Sequence, residues 1–150
     1  MLFLASTAFM IIGWSVIYSN GGKLASRAEF FSKISGIAND VRNVSKESIE
    51  YWCANHTESH PSLQRLKSNF FIAQISSIQQ RIQSCEIDDT EVTKSLTALR
   101  RSITLDSERP SEVPPEQKSD KIAEIIDSSN WLIDTLEQHH AQRTKHDTHK

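Results

Sequence analysis

The sequence predicts an all-α protein in which one N-terminal transmembrane helix precedes a four-helix bundle or an antiparallel helical hairpin of the coiled-coil type. Three observations support this fold class. Residues 2–18 are apolar, and no charged side chain occurs before Lys23. Four later segments carry apolar residues at three- and four-residue spacing, which is the period of amphipathic helices. Only 4 of the 150 residues are glycine and 4 are proline, which disfavours a turn-rich β domain.

Residues 2–18 are predicted to cross a membrane as a single helix. At about 1.5 Å per residue they extend roughly 26 Å, close to a hydrocarbon core of about 30 Å. Trp14 and Tyr18 lie near one end, as aromatic residues do at headgroup level. A cleaved signal peptide fits less well because it normally has a basic n-region, and a soluble core helix is rarely so uniformly apolar. Because Lys23 and Arg27 follow the span, the positive-inside rule predicts a single-pass protein of the cell (inner) membrane with its C-terminal domain in the cytoplasm.

The chain is predicted to divide into an anchor, a helical domain and a polar tail. The anchor covers residues 1–22, the domain 23–142 and the tail 143–150. The predicted parts of the domain are four helices and a proline-rich linker: helices 23–54, 62–86, 89–105 and 120–142, and linker 106–119.

The first two helices of the domain differ in how their apolar residues are distributed. The first has one stripe, and it either continues the anchor helix or bends at Gly21 and Gly22. Pro61 suits the first turn of the second helix, where a backbone N–H is not needed. The second helix has a main stripe that includes Phe71 and Ile75, and a further apolar set almost opposite to it: Leu63, Leu66 and Phe70. We expect this further set to contact a neighbouring helix, the membrane or a partner.

The third and fourth helices each carry one main stripe. Asp88 and Glu91 resemble a capping box at the start of the third helix, and the short gap before it predicts an antiparallel hairpin with the second. Linker 106–119 contains three prolines and many charges, which disfavour regular structure. Trp131 lies off the main stripe of the fourth helix. It is expected either to be exposed for an interface or to be buried against a second neighbour.

Cys53, His56 and His60 form the best metal-like pattern, but it is incomplete. A structural zinc site needs four ligands, and the other cysteine, Cys85, is predicted to be far away along the second helix. We therefore predict no metal and no cofactor, and both cysteines as reduced thiols facing apolar neighbours. The C-terminal end is rich in histidine, which can bind metals, sense pH or simply be solvated: His139, His140, His146 and His149.

The sequence contains no pattern that predicts catalysis. A Walker lysine and a G-x-S-x-G elbow are both missing, and a net charge of −2 without a basic stripe disfavours nucleic acid. We expect a non-enzymatic, membrane-anchored interaction module, an accessory or scaffolding subunit whose partners are the bilayer and either another protein or a second copy. The expected partner contacts are Leu63, Leu66, Phe70 and Trp131. The alternatives are a membrane-tethered regulator that signals through helix repacking and a small metal-dependent enzyme.

Overall fold

The computed structural model describes the backbone of residues 2–54 and 60–146, and the side chains of residues 21–22, 24–54 and 60–142. The four helices of this part of the chain are α1 (Leu2–Cys53), α2 (Pro61–Ser84), α3 (Thr90–Thr104) and α4 (Pro115–His146). The all-α prediction is confirmed. Among the residues searched, which are the described ones, no helix is long and apolar enough to cross a membrane. The side chains of the predicted anchor segment, residues 2–18, lie outside that set, as do those of the predicted tail.

The helices form a bundle in which each helix packs against two others. α1 packs against α2 and α4, and α3 packs against the same two helices, so that α2 and α4 lie at opposite corners. Asp40 on α1 pairs with Arg81 on α2, whereas Tyr51 stacks edge-on against Phe71, which shows that α1 and α2 are antiparallel. This closed arrangement corresponds to the predicted bundle and not to an extended two-helix hairpin.

The core is made of the apolar stripes that the sequence predicts. Each stripe places residues three and four positions apart on one helical face, and burying that face is the main source of bundle stability. Trp52 and Phe71 are the largest fully buried side chains. Ile126 is an exception, because it remains 44% exposed beside the core residue Ile125. The buried residues that fill the middle of the bundle are Ile37, Val41, Val44, Ile75, Ile78, Leu99, Ile103, Leu132 and Leu136.

Buried serine hydroxyl groups form contacts between α4 and its two neighbours, α1 and α3. Ser129 of α4 lies 2.5 Å from Ser45 of α1, and Ser128 of α4 lies 2.8 Å from Ser102 of α3, measured between Oγ atoms. All four side chains are buried. Ser45 and Ser129 each also contact a carbonyl oxygen of their own helix, so three contacts share two hydroxyl hydrogens. Their small size lets the helix backbones approach closely at this level.

Three predicted details are wrong. Cys53 is exposed and not packed against apolar neighbours, because it is the last residue of α1. Asp89 and not Asp88 caps α3, and its carboxylate accepts a hydrogen bond of 2.7 Å from the Glu91 N–H. α4 begins at Pro115, inside the predicted linker, because proline is well suited to the first turn of a helix.

Two other expectations are settled by the course of the backbone. α1 continues without a break through Gly21 and Gly22, so the chain does not hinge there. Pro61 is the first residue of α2, as predicted.

Glu86 and Asp106 follow α2 and α3 with φ angles of 55° and 63°. A left-handed residue at this position turns the chain out of the helix and ends it.

Candidate functional site

Leu63, Leu66 and Phe70 form an exposed apolar surface on the first half of α2, here called the α2 patch. Their side chains are 59%, 65% and 44% exposed, although they belong to a helix whose opposite face is buried in the core. The spacing explains the arrangement, since residues three and four apart share one face of a helix. Gln64 and Phe71 lie on the other face and are buried. The sequence prediction of a second apolar surface on this helix is therefore confirmed.

The charge on α2 is entirely positive. The helix contains no acidic residue, and Arg65 and Lys67 lie in the same half as the patch. The Lys67 ammonium lies 5.3 Å from the centroid of the Phe70 ring and 5.9 Å from that of Phe71. A cation over an aromatic face is held by the quadrupole of the ring. The α2 patch thus combines exposed apolar side chains with one fixed positive charge.

The α2 patch lies at the end of the bundle where α1 finishes. Tyr51, in the last turn of α1, packs on Phe71 with the ring centroids 5.6 Å apart. Phe70 of the patch directly precedes Phe71 in the chain. At about 1.5 Å per residue, the continuous helix places Tyr51 some 50 Å from residue 18. The patch and the apolar N-terminal segment are therefore at opposite ends of α1.

His60, one of the predicted metal candidates, has a structural role as the N-cap of α2. Its Nδ1 accepts a hydrogen bond of 3.3 Å from the Ser62 N–H and lies 2.8 Å from the Ser62 hydroxyl. Cys53 is an exposed free thiol, and His56 lies outside the described residues. In the described ranges no group of three or more His, Cys, Asp or Glu side chains is placed to hold a metal ion.

Trp131 is 42% exposed on α4, which agrees with the interface alternative for this residue. α4 and α2 occupy opposite corners of the bundle. The structure therefore does not bring Trp131 together with the α2 patch, and the four predicted partner contacts belong to two surfaces. Of these four residues, only the three on α2 form a cluster.

The other end of the bundle holds a group of histidine and phenylalanine rings that the sequence did not bring together. His140 of α4 stacks on Phe30 of α1, with ring centroids 5.8 Å apart and planes 15° apart, and lies 5.4 Å from Phe31. His139 lies 6.4 Å from Phe30. Within the part of the chain that the structure describes, the buried Nδ1 of His139 and Nε of Arg27 have no hydrogen-bond partner. In the sequence, the sign of this ring contact is that His140 extends the apolar stripe of α4.

Two grooves run along α1. The one between α1 and α4 has a volume of about 290 Å³, and Ile49, Ile126 and Ile133 form its apolar wall above the Ser45 and Ser129 pair. The one between α1 and α2 has a volume of about 440 Å³ and is lined mainly by polar and charged side chains of α1.

The comparisons with known proteins do not assign this arrangement. No protein-family model matches the chain, and no curated protein or solved structure is significantly similar to it.

Proposed function

We propose that this protein is a membrane-anchored helical interaction module, an accessory or scaffolding subunit that uses the α2 patch to bind another protein of a membrane-associated assembly. In this proposal residues 2–18 are the transmembrane segment, and the bundle lies in the cytoplasm. The observation that carries the proposal is the exposure of Leu63, Leu66 and Phe70 at the end of the bundle farthest from the N-terminal segment.

The distance along α1 favours a protein over the bilayer as the occupant of the patch. An anchored α1 holds Tyr51, and with it the start of α2, some 50 Å beyond residue 18 at about 1.5 Å per residue. Headgroups extend only about 5–8 Å beyond the hydrocarbon core, so an α1 that stands along the membrane normal holds the patch out of reach of lipid. A surface at this height is suited to a partner that is itself outside the bilayer.

The chemistry of the patch specifies the kind of partner. An amphipathic segment with apolar side chains and carboxylates would cover Leu63, Leu66 and Phe70 and pair with Lys67. Fully burying a leucine is worth about 1.5–3 kcal/mol, so Leu66→Ala is expected to weaken binding roughly tenfold. Leu66→Glu is expected to abolish binding, because it places a charge in the centre of the contact and repels an acidic partner.

A pull-down with the full-length chain in mild detergent tests the patch. Leu66→Glu is compared with Ile126→Glu, a matched control at an exposed isoleucine of α4 on the opposite corner of the bundle. Circular dichroism must give the same helix content for both variants. We expect the same protein to be retained by the wild type and the control and lost from Leu66→Glu. Equal retention by both variants would assign the partner to another surface.

Membrane anchoring is tested separately. Carbonate extraction should leave the full-length protein in the membrane pellet, and a C-terminal reporter that is active only in the cytoplasm should give a signal. Release by carbonate contradicts the anchor, whereas a reporter active only outside the cytoplasm contradicts the orientation.

A membrane-tethered regulator is the second candidate, and the contact of His139 and His140 with Phe30 and Phe31 favours it. A positive charge on an imidazole ring between α1 and α4 would change how the two helices pack. Tryptophan fluorescence of the wild type and of His140→Gln, followed from pH 8 to pH 5, tests this function. A regulator should show a transition that the variant lacks, and identical curves would exclude the role for His140.

A further inference from the structure

A second exposed surface lies on α1, close to the N-terminal segment. Leu24 and Phe31 are 64% and 59% exposed, and the nearby small residues Gly21 and Ala28 are exposed as well. These four residues are called the α1 seam. Leu24 and Phe31 are seven positions apart, as are Gly21 and Ala28, so each pair repeats with the period of a heptad. At about 100° per residue, the four positions fall within about 80° of the helix surface.

α4 touches the seam at one edge, where the ring centroids of His140 and Phe31 lie 5.4 Å apart, and Phe31 remains 59% exposed. Phe30 and Ile34, which pack on the other helices, lie roughly 100–140° around α1 from the seam at about 100° per residue. The nearest ion pair on α1, Glu29 with Lys33 at 2.7 Å, lies on almost the opposite side of the helix. The seam therefore consists of two large apolar residues and two small ones without a charge among them.

The same register continues along α1 into the N-terminal segment. Ile17, Met10 and Phe3 occupy the heptad position of Leu24 and Phe31, and Thr7 occupies that of Gly21 and Ala28. Trp14 departs from the small-residue position. A helix face whose positions repeat every seven residues is typical of two helices that pack as a left-handed coiled coil.

We propose that the α1 seam is the parallel dimer interface between two copies of this chain. A second copy matches the seam because a two-fold axis pairs Leu24 with Leu24 and the small residues with each other, which permits close approach. The parallel direction rests on the proposed function, since two copies anchored in one membrane share their orientation. A stable interface buries about 800 Å² per partner, more than four residues provide, so the pairing extends into the residues before Gly21.

Disulfide trapping of the full-length chain in its native membrane tests the dimer. Cys53→Ser removes the exposed thiol, while the buried Cys85 is retained. In that background, single cysteines are introduced by Leu24→Cys or Ala28→Cys on the seam, and by Ser26→Cys on the other side of α1 as the matched control. Copper phenanthroline is the oxidant that accepts the two electrons when two thiols join. Because a disulfide needs Cα atoms within about 7 Å, we expect dimers at the two seam positions and loss of the dimer at Ser26→Cys.

A second pair of variants checks that the contact is specific. Phe31→Glu, added to Ala28→Cys, should remove the cross-linked dimer without changing the helix content, whereas Ser26→Glu should leave it intact. The proposed interface is wrong if neither seam position gives a cross-linked dimer, or if Ser26→Cys gives the same yield of dimer as the seam positions. A protein that resists carbonate extraction and keeps its α2 partner but shows no seam dimer refutes this inference alone. Release of the protein by carbonate refutes the membrane anchor. The cross-linking result then still shows whether the dimer forms.

Discussion

Replacing Gly36 with alanine tests the contact between α1 and α2 in the middle of the bundle. A Cβ atom at this position would lie 2.6 Å from Nη2 of Arg81 and 3.7 Å from its Cζ. The same guanidinium donates to the carboxylate of Asp40 through Nη1. The new methyl group must therefore displace the end of a flexible side chain, and no backbone has to move.

Two opposing effects set the size of the change. Alanine is better than glycine in a helix interior by about 1 kcal/mol. The displaced ion pair joins side chains that are 43% and 40% exposed, and pairs of this kind contribute about 0–1 kcal/mol. We therefore expect Gly36→Ala to be neutral or to raise the free energy of unfolding by up to about 1 kcal/mol. In the background Arg81→Ala the guanidinium is gone, and the full gain of about 1 kcal/mol should appear.

Thermal and urea unfolding of the full-length chain in mild detergent, followed by circular dichroism, measures both effects. A gain of 1 kcal/mol corresponds to a rise in Tm of about 2–4 °C for a chain of this size. The difference between the two backgrounds is the free energy of coupling between the new methyl group and the Arg81 side chain. If Gly36→Ala lowers stability by more than about 1 kcal/mol in both backgrounds, a rigid group and not Arg81 occupies this space, and the reasoning is wrong.

Three further predictions concern α1, α3 and α4. Trp52→Ala should lower the free energy of unfolding by about 3–5 kcal/mol because Trp52 is 1% exposed, whereas Trp131→Ala should change it by less than about 1 kcal/mol, and equal losses would contradict the burial. Asp89→Ala should lower it by about 0.5–2 kcal/mol through loss of the α3 cap, with Asp88→Ala unchanged as the control. Burial raises the pKa of Tyr51 to about 12, while the unfolded chain ionises near its ordinary value of about 10. The contribution of Tyr51 to the free energy of unfolding should therefore be fully present below about pH 10 and be lost between about pH 10 and pH 12. Denaturation curves of Tyr51→Phe should lack this loss. The same dependence on pH in the wild type and the variant would contradict the burial.

The apolar stripes could be predicted from the sequence because burial follows the helical period. The period identifies the buried face of a helix, but it does not identify the neighbour that covers it. Ser45 and Ser129 show this limit, since a serine in a stripe has no apolar signal and yet these two are buried in contact with each other between α1 and α4. The start of α4 at Pro115 was missed for a related reason, because proline both disfavours a helix interior and suits a helix start.

The candidate site could be predicted only in part. Leu63, Leu66 and Phe70 were recognisable as a surface because they lie off the main stripe of their helix. Their height above the N-terminal segment was not, because it depends on the continuity of α1 through two glycines, each about 1 kcal/mol less favourable than alanine in a helix. The capping role of His60 was also hidden, because the sequence does not show which side chain accepts from the first N–H groups of α2.

The uninterrupted α1 is a lever arm. A tilt of about 10° at Gly21 moves Trp52 sideways by about 8 Å, given a rise of about 1.5 Å per residue. Because α2 and α4 pack along α1, they travel with it, and whatever occupies the α2 patch is displaced by a similar amount. A Cβ at Gly21 or Gly22 would meet no other atom within 4 Å, so no packing contact at these two positions opposes such a tilt. Because α1 is continuous, an angular change at its N-terminal end becomes a displacement at its distal end.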